Sequence, residues 1–290
     1  LDELAARMAI ASPRLRVLLD ALVVLGLVER HGGAYRNSPV AAAYLSGQTG
    51  TDLRPALRFW DRLDYPKFTE LADILRSGPR RPRPPTDEEQ QIFSEGVAAL
   101  TASAALALPA VYDFSRHRRV LELGGGTGFW LLAILRRYGN LQATLFERPG
   151  VAALARQRLA ADPTGRAIAV LKGDFTVDPI PAGHDAILMA NVLHGGPAER
   201  SVGLLRRLRA VSPEGARLLL ADGWTDPTRT RPPFMLIYAS EFVAHGAEAG
   251  IASEDEAREW LVASGWRPVE RAPLTGPQSL IVAEAAEPPH

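Results

Sequence analysis

The sequence contains no cysteine among its 290 residues. This absence excludes disulfide bonds, thiolate metal ligands, iron–sulfur clusters and cysteine nucleophiles. Lysine is scarce as well: only Lys67 and Lys172 occur, so arginine carries nearly all of the positive charge. No apolar run approaches the length of a membrane span and no signal-peptide pattern opens the chain, which predicts a cytoplasmic protein without a membrane partner. Leu1 already lies in a predicted helix, so we expect a segment before it.

The charge is balanced, with 33 basic and 33 acidic residues. Such a balance gives no electrostatic reason to expect a nucleic-acid partner. Hydrophobic residues make up 47% of the chain, which is enough for sizeable cores. The length suits two domains, and we place them at residues 1–105 and 106–290.

The first 46 residues predict a helix, a turn, a second helix and a small hairpin around Gly32 and Gly33. This is the pattern of a winged helix, whose usual role is DNA binding. A DNA-reading helix needs several polar side chains for base edges and phosphates. The second helix offers only Arg14, Arg16 and Asp20 and is otherwise apolar. We therefore interpret the module as one for association between chains.

Helices are predicted over residues 51–82 and 87–113, with an Arg- and Pro-rich solvated linker between them. From Arg118 onwards, short β-rich runs alternate with helical runs. Such alternation predicts a parallel sheet covered on both faces. The tail, with runs at 266–271 and 279–283, predicts a closing antiparallel hairpin. The predicted strands are 118–123, 142–147, 168–172, 184–190 and 216–222. The fold class is therefore α/β, a mostly parallel Rossmann-like sheet after a helical domain.

A glycine-rich turn follows the first predicted strand, in the run VLELGGGTG at 120–128. Glycines let a backbone turn sharply and approach a ligand closely. The dinucleotide spacing GxGxxG fails because Phe129 stands at its third glycine, which argues against a nicotinamide enzyme. The form ExGxGxG instead resembles the first motif of S-adenosylmethionine enzymes. That resemblance implies that four residues cradle the methionine part of the cofactor, namely Glu122, Gly124, Gly126 and Gly128.

Acidic residues also end the next two strands. Glu147 lies 19 residues after Gly128, a distance at which an acid is placed to bind ribose hydroxyls. Asp174 and Phe175 follow the third strand, where an acid can reach the adenine amino group and an aromatic ring can stack on the base. Because ligands bind at the carboxyl ends of such strands, the three residues together predict a cofactor site.

Most of the chain resembles the bacterial small-molecule O-methyltransferases, a family that includes caffeate-type plant enzymes and antibiotic-tailoring enzymes. The resemblance rests on the winged-helix region and on the segments GGGTG, FERPGV, GDF and NVLH. It implies S-adenosylmethionine as cofactor, a small-molecule secondary-metabolite acceptor, and a homodimer formed through the N-terminal domains.

In this family the fourth-strand segment typically reads LHDW, and its histidine removes the proton of the acceptor. Here the matching histidine is His194, and neutral imidazole can accept a proton at physiological pH. The acid that orients this histidine corresponds to Asp222, which is one methylene shorter than the usual residue. The family's Asp-Trp after the histidine is replaced by Gly195 and Gly196. We therefore expect His194 and Asp222 to form the catalytic pair of an O-methyltransferase.

A second histidine, His245, gives an alternative. A similar histidine pair occurs in phenylpyruvate-type α-keto acid C-methyltransferases, where it binds a metal. The resemblance implies that His194 and His245 would hold a divalent or ferric ion that acidifies the C–H bond next to the keto acid. Open catalytic sites normally use three protein ligands, and Asp222 or Glu241 would be the third. The primary interpretation needs no metal.

Other residues are assigned to the acceptor pocket by their position in the region that lines it in the family: Phe234, Met235 and Tyr238, together with His245. Two further alternatives remain. One is a relative that binds S-adenosylmethionine but catalyses a non-methylating reaction, and the other is a ligand-sensing winged-helix regulator.

Overall fold

The computed structural model describes residues 1–49, 51–78, 83–194, 196–247 and 250–286. The chain divides into two compact units, Leu1–Arg58 and Phe59–His290. The domain boundary that the sequence predicts, between residues 105 and 106, stays a prediction.

The first unit has the predicted helices and hairpin. Its core consists of Ala5, Leu15 and Leu19, which are buried between the first two helices. Gly32 and Gly33 both have positive φ angles, 55° and 84°, as the tight turn of the hairpin requires. The elements are α1 (Asp2–Met8), α2 (Ser12–Val24), β1 (Val28–His31), β2 (Ala34–Asn37) and α3 (Pro39–Tyr44).

The predicted helix over 51–82 is wrong as a single element, because the structure breaks it into short pieces. Its middle is a π-helix, Trp60–Asp64, and the short α-helix that follows contains Pro66 in its first turn. Proline has no N–H to donate and its ring crowds the preceding turn, so the regular α-helical hydrogen bonding is interrupted there. The pieces are α4 (Arg54–Phe59), the π-helix, α5 (Tyr65–Phe68) and α6 (Leu71–Ser77). The linker prediction falls partly on residues 79–82, which lie outside the described residues.

Helix α7 (Asp87–Val111) is the long helix that the sequence predicts. It begins with a capping box, in which the Glu89 amide donates to Thr86 Oγ1 at 3.2 Å and the Thr86 amide donates to Glu89 Oε2 at 2.8 Å. By length and hydropathy alone α7 is compatible with a membrane span, so the expectation that no run approaches that length is wrong here. Half of its apolar window is nevertheless buried within the protein.

The sheet confirms the predicted fold class. Within the described residues it contains seven strands in the order β5-β4-β3-β6-β7-β9-β8. The first five strands along this order are parallel, and β9 runs antiparallel between β7 and β8. The strands are β3 (Arg119–Leu123), β4 (Gln142–Glu147), β5 (Ile168–Lys172), β6 (Ala186–Ala190), β7 (Arg217–Gly223), β8 (Trp266–Pro273) and β9 (Gln278–Ala285).

Side chains alternate between the two faces of the sheet along each strand, so both faces carry apolar side chains. Helices cover both of these faces. On one face Val120 and Leu188 pack with α7 and α8. On the other face Leu121 and Ile187 pack with α10 and α12. The helices of this part are α8 (Phe129–Arg137), α9 (Pro149–Ala160), α10 (Ala198–Val211), α11 (Pro233–Ala244) and α12 (Glu254–Ala263).

Trp266 anchors the C-terminal hairpin to the sheet. Its ring is 1% exposed, and its indole N–H donates to the Leu205 carbonyl at 3.0 Å. Trp266→Ala should lower the free energy of unfolding by about 3–5 kcal/mol, the usual cost of removing a buried indole ring. Urea unfolding followed by circular dichroism measures this loss. Trp260→Ala is the matched control, because Trp260 packs on the same core but is only partly buried. Equal losses in the two variants would contradict the assignment.

Candidate active site

The glycine loop connects β3 to α8. Gly124, Gly126 and Gly128 have φ angles of 69°, 58° and 75°, a region that side chains with a Cβ rarely adopt. A Cβ on Gly125 would lie 2.1 Å from the Glu122 carboxyl carbon, so the loop passes directly over that side chain. At Gly126, in contrast, a Cβ would meet nothing within 4 Å. The backbone angles thus favour glycine at positions 124, 126 and 128, whereas close packing on Glu122 requires it at position 125.

Glu122 lies beneath this loop. Its carboxyl group is fully buried and, among the described residues, neither of its oxygens has a hydrogen-bond partner. Burial raises the pKa of Glu122 well above its ordinary value. The side chain does not line the cavity described below. It supports the loop from within the core, so its predicted contact with the cofactor remains a prediction.

Glu147 ends β4 beside the loop. Its Oε2 accepts a hydrogen bond from the Gly126 amide at 3.0 Å, and its Oε1 accepts one from the Arg148 amide at 2.7 Å. Burial raises the pKa of this carboxyl group. Glu147 and Gly126 both line the cavity. The structure therefore brings together the predicted ribose ligand and the predicted cradle.

Asp174 and Phe175 follow β5 and differ in their surroundings. Phe175 lines the cavity and packs against Gly124, where a Cβ would lie 3.0 Å from its ring. Asp174 does not line the cavity. Its Oδ1 accepts hydrogen bonds from the Thr176 amide at 2.8 Å and hydroxyl at 2.6 Å. These hydrogen bonds lower the pKa of Asp174. Only the aromatic member of this pair faces the cavity.

His194 and Asp222 form a close pair. Asp222 Oδ1 lies 2.6 Å from His194 Nδ1 and also accepts the Gly223 amide at 2.8 Å. An ionised carboxylate only accepts hydrogen bonds, so Nδ1 carries the proton and Nε2 of a neutral ring keeps its lone pair. Asp222 is 2% exposed, and the His194 ring packs against Phe242 with centroids 4.8 Å apart. The shorter acid reaches the histidine. Gly195 lies outside the described residues.

Asn191, which sequence analysis missed, shapes the start of the His194 loop. Its φ angle is 56°, in the left-handed region, which asparagine tolerates better than most residues. Its amide N–H donates to the Ala221 carbonyl at 2.9 Å, and its side-chain oxygen accepts from Gln278 Nε2 at 2.7 Å. The available signal was an asparagine directly after a buried strand.

Helix α11 contributes one face to the cavity: Tyr238, Glu241 and Phe242, with His245 at its C-terminal end. These positions follow the i, i+3, i+4, i+7 spacing of a single helical stripe. The predicted pocket residues Phe234 and Met235 do not line the cavity, which corrects that part of the prediction. Phe234 is 56% exposed, and Met235 is buried against Gly223 of β7.

A second histidine–carboxylate pair occupies the other end of this stripe. His245 Nε2 lies 2.7 Å from Asp64 Oδ1, and Asp64 is 3% exposed at the end of the π-helix. Glu241 lies beside Asp64. Burial of Glu241, reinforced by the neighbouring Asp64 charge, raises its pKa to about 8. The sequence gives no indication of this contact, because 181 residues separate Asp64 from His245.

One cavity of about 380 Å³ joins these features. It is lined by the glycine loop, the end of β4, Phe175, the loop after β6, α7 and α11. His194 and His245 both face it. In the described part of the chain, however, no three His, Asp or Glu side chains are grouped so as to hold a metal ion. The predicted third ligands are otherwise engaged, since Asp222 pairs with His194 and Glu241 lies beside Asp64.

The chain matches the family model of the O-methyltransferase domain over residues 84–267. It is 31% identical over 239 residues to 3-hydroxy-5-methyl-1-naphthoate 3-O-methyltransferase of Streptomyces sahachiroi, covering 79% of this chain and 69% of the relative. It is 25% identical to the tetracenomycin polyketide synthesis 8-O-methyl transferase TcmO of Streptomyces glaucescens, covering 97% of this chain and 86% of the relative.

A solved structure has the same fold. Human N-acetylserotonin methyltransferase in complex with S-adenosylmethionine superposes with a TM-score of 0.88 at 23% identity, covering 98% of this chain and 86% of that one. The chain therefore belongs to the O-methyltransferase domain family. It is an S-adenosylmethionine-dependent methyltransferase, which confirms the predicted family, enzyme class and cofactor.

The open space at Gly126 allows a test of the predicted cradle, in which the glycine loop holds the methionine part of the cofactor. Gly126→Ala should lower stability by about 1–2 kcal/mol, the cost of a left-handed alanine, and should also weaken S-adenosylhomocysteine binding because its methyl group enters the cavity. Calorimetry and thermal unfolding measure the two effects. Gly276→Ala is the matched control, since Gly276 has a φ of 64° and also has nothing near its Cβ position. Equal weakening of binding by both variants would argue against the cradle.

Proposed function

We propose that this enzyme methylates a hydroxyl group of a small secondary metabolite, with His194 as the general base. The observation that carries the proposal is the 2.6 Å contact between His194 Nδ1 and the buried Asp222 carboxylate. It fixes the tautomer whose Nε2 can accept a proton, and His194 faces the cavity that the glycine loop also lines. The relatives that transfer methyl groups to naphthoate and tetracenomycin hydroxyls support the same reaction class.

The residues of the cavity fit the cofactor. Glu147 is placed to bind ribose hydroxyls, Phe175 to stack on the adenine, and the glycine loop to approach the methionine part. Asp174 remains a candidate for the adenine amino group, and Glu122 for support of the loop. When bound, S-adenosylmethionine supplies a methyl group on a positively charged sulfur.

Residues of the chain itself bind the acceptor and accept its proton. His194 Nε2 accepts the hydroxyl proton as the acceptor oxygen takes the methyl group that the bound cofactor would supply. Asp222 stabilises the imidazolium that results, because its charge is buried and already hydrogen-bonded to Nδ1. The other residues that line the cavity orient the acceptor, so that the rate of transfer depends on the alignment of its oxygen with the methyl group.

The aromatic walls favour a flat, aromatic acceptor. Phe59, Phe93, Tyr238 and Phe242 line the cavity on the side of α7 and α11. Tyr238 and Phe242 contact each other edge to face, with centroids 5.0 Å apart. Aromatic side chains of this kind stack on planar ligands and shield them from water. A phenol or naphthol fits such walls better than an aliphatic alcohol does.

His194→Ala should lower kcat for a phenolic acceptor by about 10²- to 10⁴-fold, the usual contribution of a general base. Asp222→Asn should also lower it, because the amide no longer holds the imidazole in its reactive tautomer. Steady-state methylation assays measure both effects. S-adenosylhomocysteine binding by calorimetry verifies that the variants still fold and hold the cofactor product.

A nitrophenol acceptor sharpens this test. It ionises without help near neutral pH, so His194→Ala should lower its methylation much less than that of an unsubstituted phenol. Equal losses for both acceptors would contradict the base assignment. Iron or zinc that is bound by the wild type and lost from both His194→Ala and His245→Ala, with activity that a chelator abolishes, would instead support metal-assisted C-methylation.

We further propose that the enzyme is a cytoplasmic homodimer formed through its N-terminal domain. The support is a set of exposed apolar side chains on and just after α2, which a monomer would leave in water. Val17 is 72% exposed, Val24 87% and Leu25 69%. A ligand-sensing regulator would use this region for DNA, whereas a dimer would bury it.

Val24→Glu should shift the mass in solution from dimer towards monomer, because it places a charge in an apolar interface. Light scattering coupled to size-exclusion chromatography measures this mass. Val177→Glu is the control, since Val177 is 75% exposed but lies after β5 in the second unit. A wild-type monomer, or equal shifts in both variants, would contradict the proposed interface.

A further inference from the structure

The cluster of Asp64, Glu241 and His245 has no part in the reaction described above. All three side chains belong to the second unit, and Glu241 and His245 line the same cavity as His194. Asp64 holds His245 through Oδ1 at 2.7 Å. Its second oxygen, Oδ2, is buried, and the Asp64 carboxylate gains a hydrogen bond from Glu241 only when Glu241 is protonated.

Such a cluster is costly for folding. Two carboxyl groups lie side by side, with Asp64 3% exposed and Glu241 8% exposed. A buried polar atom without a partner costs about 1–3 kcal/mol, and adjacent buried acids repel each other when both are ionised. Among the described residues, Arg148, which follows β4, is the one arginine or lysine that lines the cavity with them. Packing alone does not account for the arrangement.

The hydrogen-bonding capacity of the cluster is specific. Asp64 accepts from His245 Nε2, so in a neutral ring Nδ1 keeps its lone pair, and in the described part of the chain Nδ1 makes no hydrogen bond. Burial and the Asp64 charge favour the protonated form of Glu241, with a pKa of about 8. That carboxyl group is hydrogen-bonded to Asp64, so its proton is donated to the Asp64 carboxylate and its other oxygen is left as an acceptor. The cavity wall therefore offers two acceptors close together, His245 Nδ1 and the Glu241 oxygen.

Helix α11 links the cluster to the reacting centre. Phe242 packs on His194, and His245 lies three residues further along the same helical stripe. At 1.5 Å per residue this is an advance of about 4.5 Å along the axis. An aromatic ring system laid against Phe242 with one oxygen at His194 would thus bring its far edge to His245 and Glu241.

We infer that Asp64, Glu241 and His245 form a second polar subsite that binds a second hydroxyl group of the acceptor. This inference rests on the proposed O-methylation at His194. A hydroxyl carries the proton that these two acceptors lack, and it donates that proton to His245 Nδ1 or to the Glu241 oxygen. A carboxylate only accepts and would face the buried Asp64 charge. The substrate class is therefore an aromatic compound with two hydroxyl groups on opposite edges, of which the one at His194 is methylated.

The test compares 2-naphthol with 2,7-dihydroxynaphthalene, which have the same ring system. Binding to the full chain saturated with S-adenosylhomocysteine is measured by calorimetry, so that no methyl transfer is needed. The wild type should bind the diol at least about tenfold more tightly, since a hydrogen bond to a charged or charge-linked group contributes at that level. In His245→Phe and Glu241→Leu this ratio should fall to near one.

Three further variants complete the design. His245→Asn should restore part of the preference, because it keeps a hydrogen-bonding side chain of similar reach. Asp64→Asn should reduce it by releasing the His245 ring. Phe234→Ala, on the same helix but outside the cavity, should leave the ratio at its wild-type value. A preference for the diol that survives in His245→Phe and Glu241→Leu would overturn the inference, as would a wild type with no preference.

Methyl transfer is measured separately with S-adenosylmethionine, which keeps the two hypotheses distinct. If the diol is bound preferentially and neither compound is methylated, the proposed function fails while the subsite stands. If both compounds are methylated with the same kcat/KM and the variants alter neither, the subsite fails while the proposed function stands.

Discussion

The parallel register of the central strands determines where the glycine loop, Glu147, His194 and Asp222 lie. Leu123 of β3 pairs with Phe146 of β4, and Ala190 of β6 pairs with Ala221 of β7. The residues that follow these pairs therefore leave the sheet at one edge. The glycine loop follows Leu123 and Glu147 follows Phe146, which explains the hydrogen bond from the Gly126 amide to Glu147. The carboxyl ends of parallel strands thus gather residues that are distant in sequence.

The same register explains how the Asp222 side chain comes to contact His194. It directly follows Ala221, whereas His194 lies four residues beyond Ala190, so the loop after β6 must fold back towards β7. Asn191 starts that return with its left-handed backbone conformation. Because the loop brings the imidazole to the strand end, an aspartate side chain is long enough to hold it.

Much of this was readable from the sequence because the relevant signals are local. Buried parallel strands are short apolar runs, and a glycine turn follows β3 directly, so both appear in any window of a few residues. The phase of α11 was not readable. Its sequence, PFMLIYASEFVA, is apolar apart from Ser240 and Glu241, so it has no clear polar face to show which side meets the cavity, and Phe234 and Met235 were placed there wrongly. The contact between Asp64 and His245 depends on tertiary packing alone, as does the π-helix that presents Asp64.

The two histidine–aspartate pairs differ in which ring nitrogen the carboxylate holds, and this difference separates their roles. Asp222 holds His194 through Nδ1, which leaves Nε2, the nitrogen farthest from the backbone, directed away from its support. Asp64 holds His245 through Nε2, so its remaining nitrogen is Nδ1, next to the Cβ atom and close to the helix. Nε2 at the tip of the His194 ring is therefore the nitrogen more open to an acceptor hydroxyl, whereas Nδ1 of His245 is held close to its helix. In the proposed reaction His194 would therefore take up the proton, and His245 would hold a second oxygen of the acceptor in place.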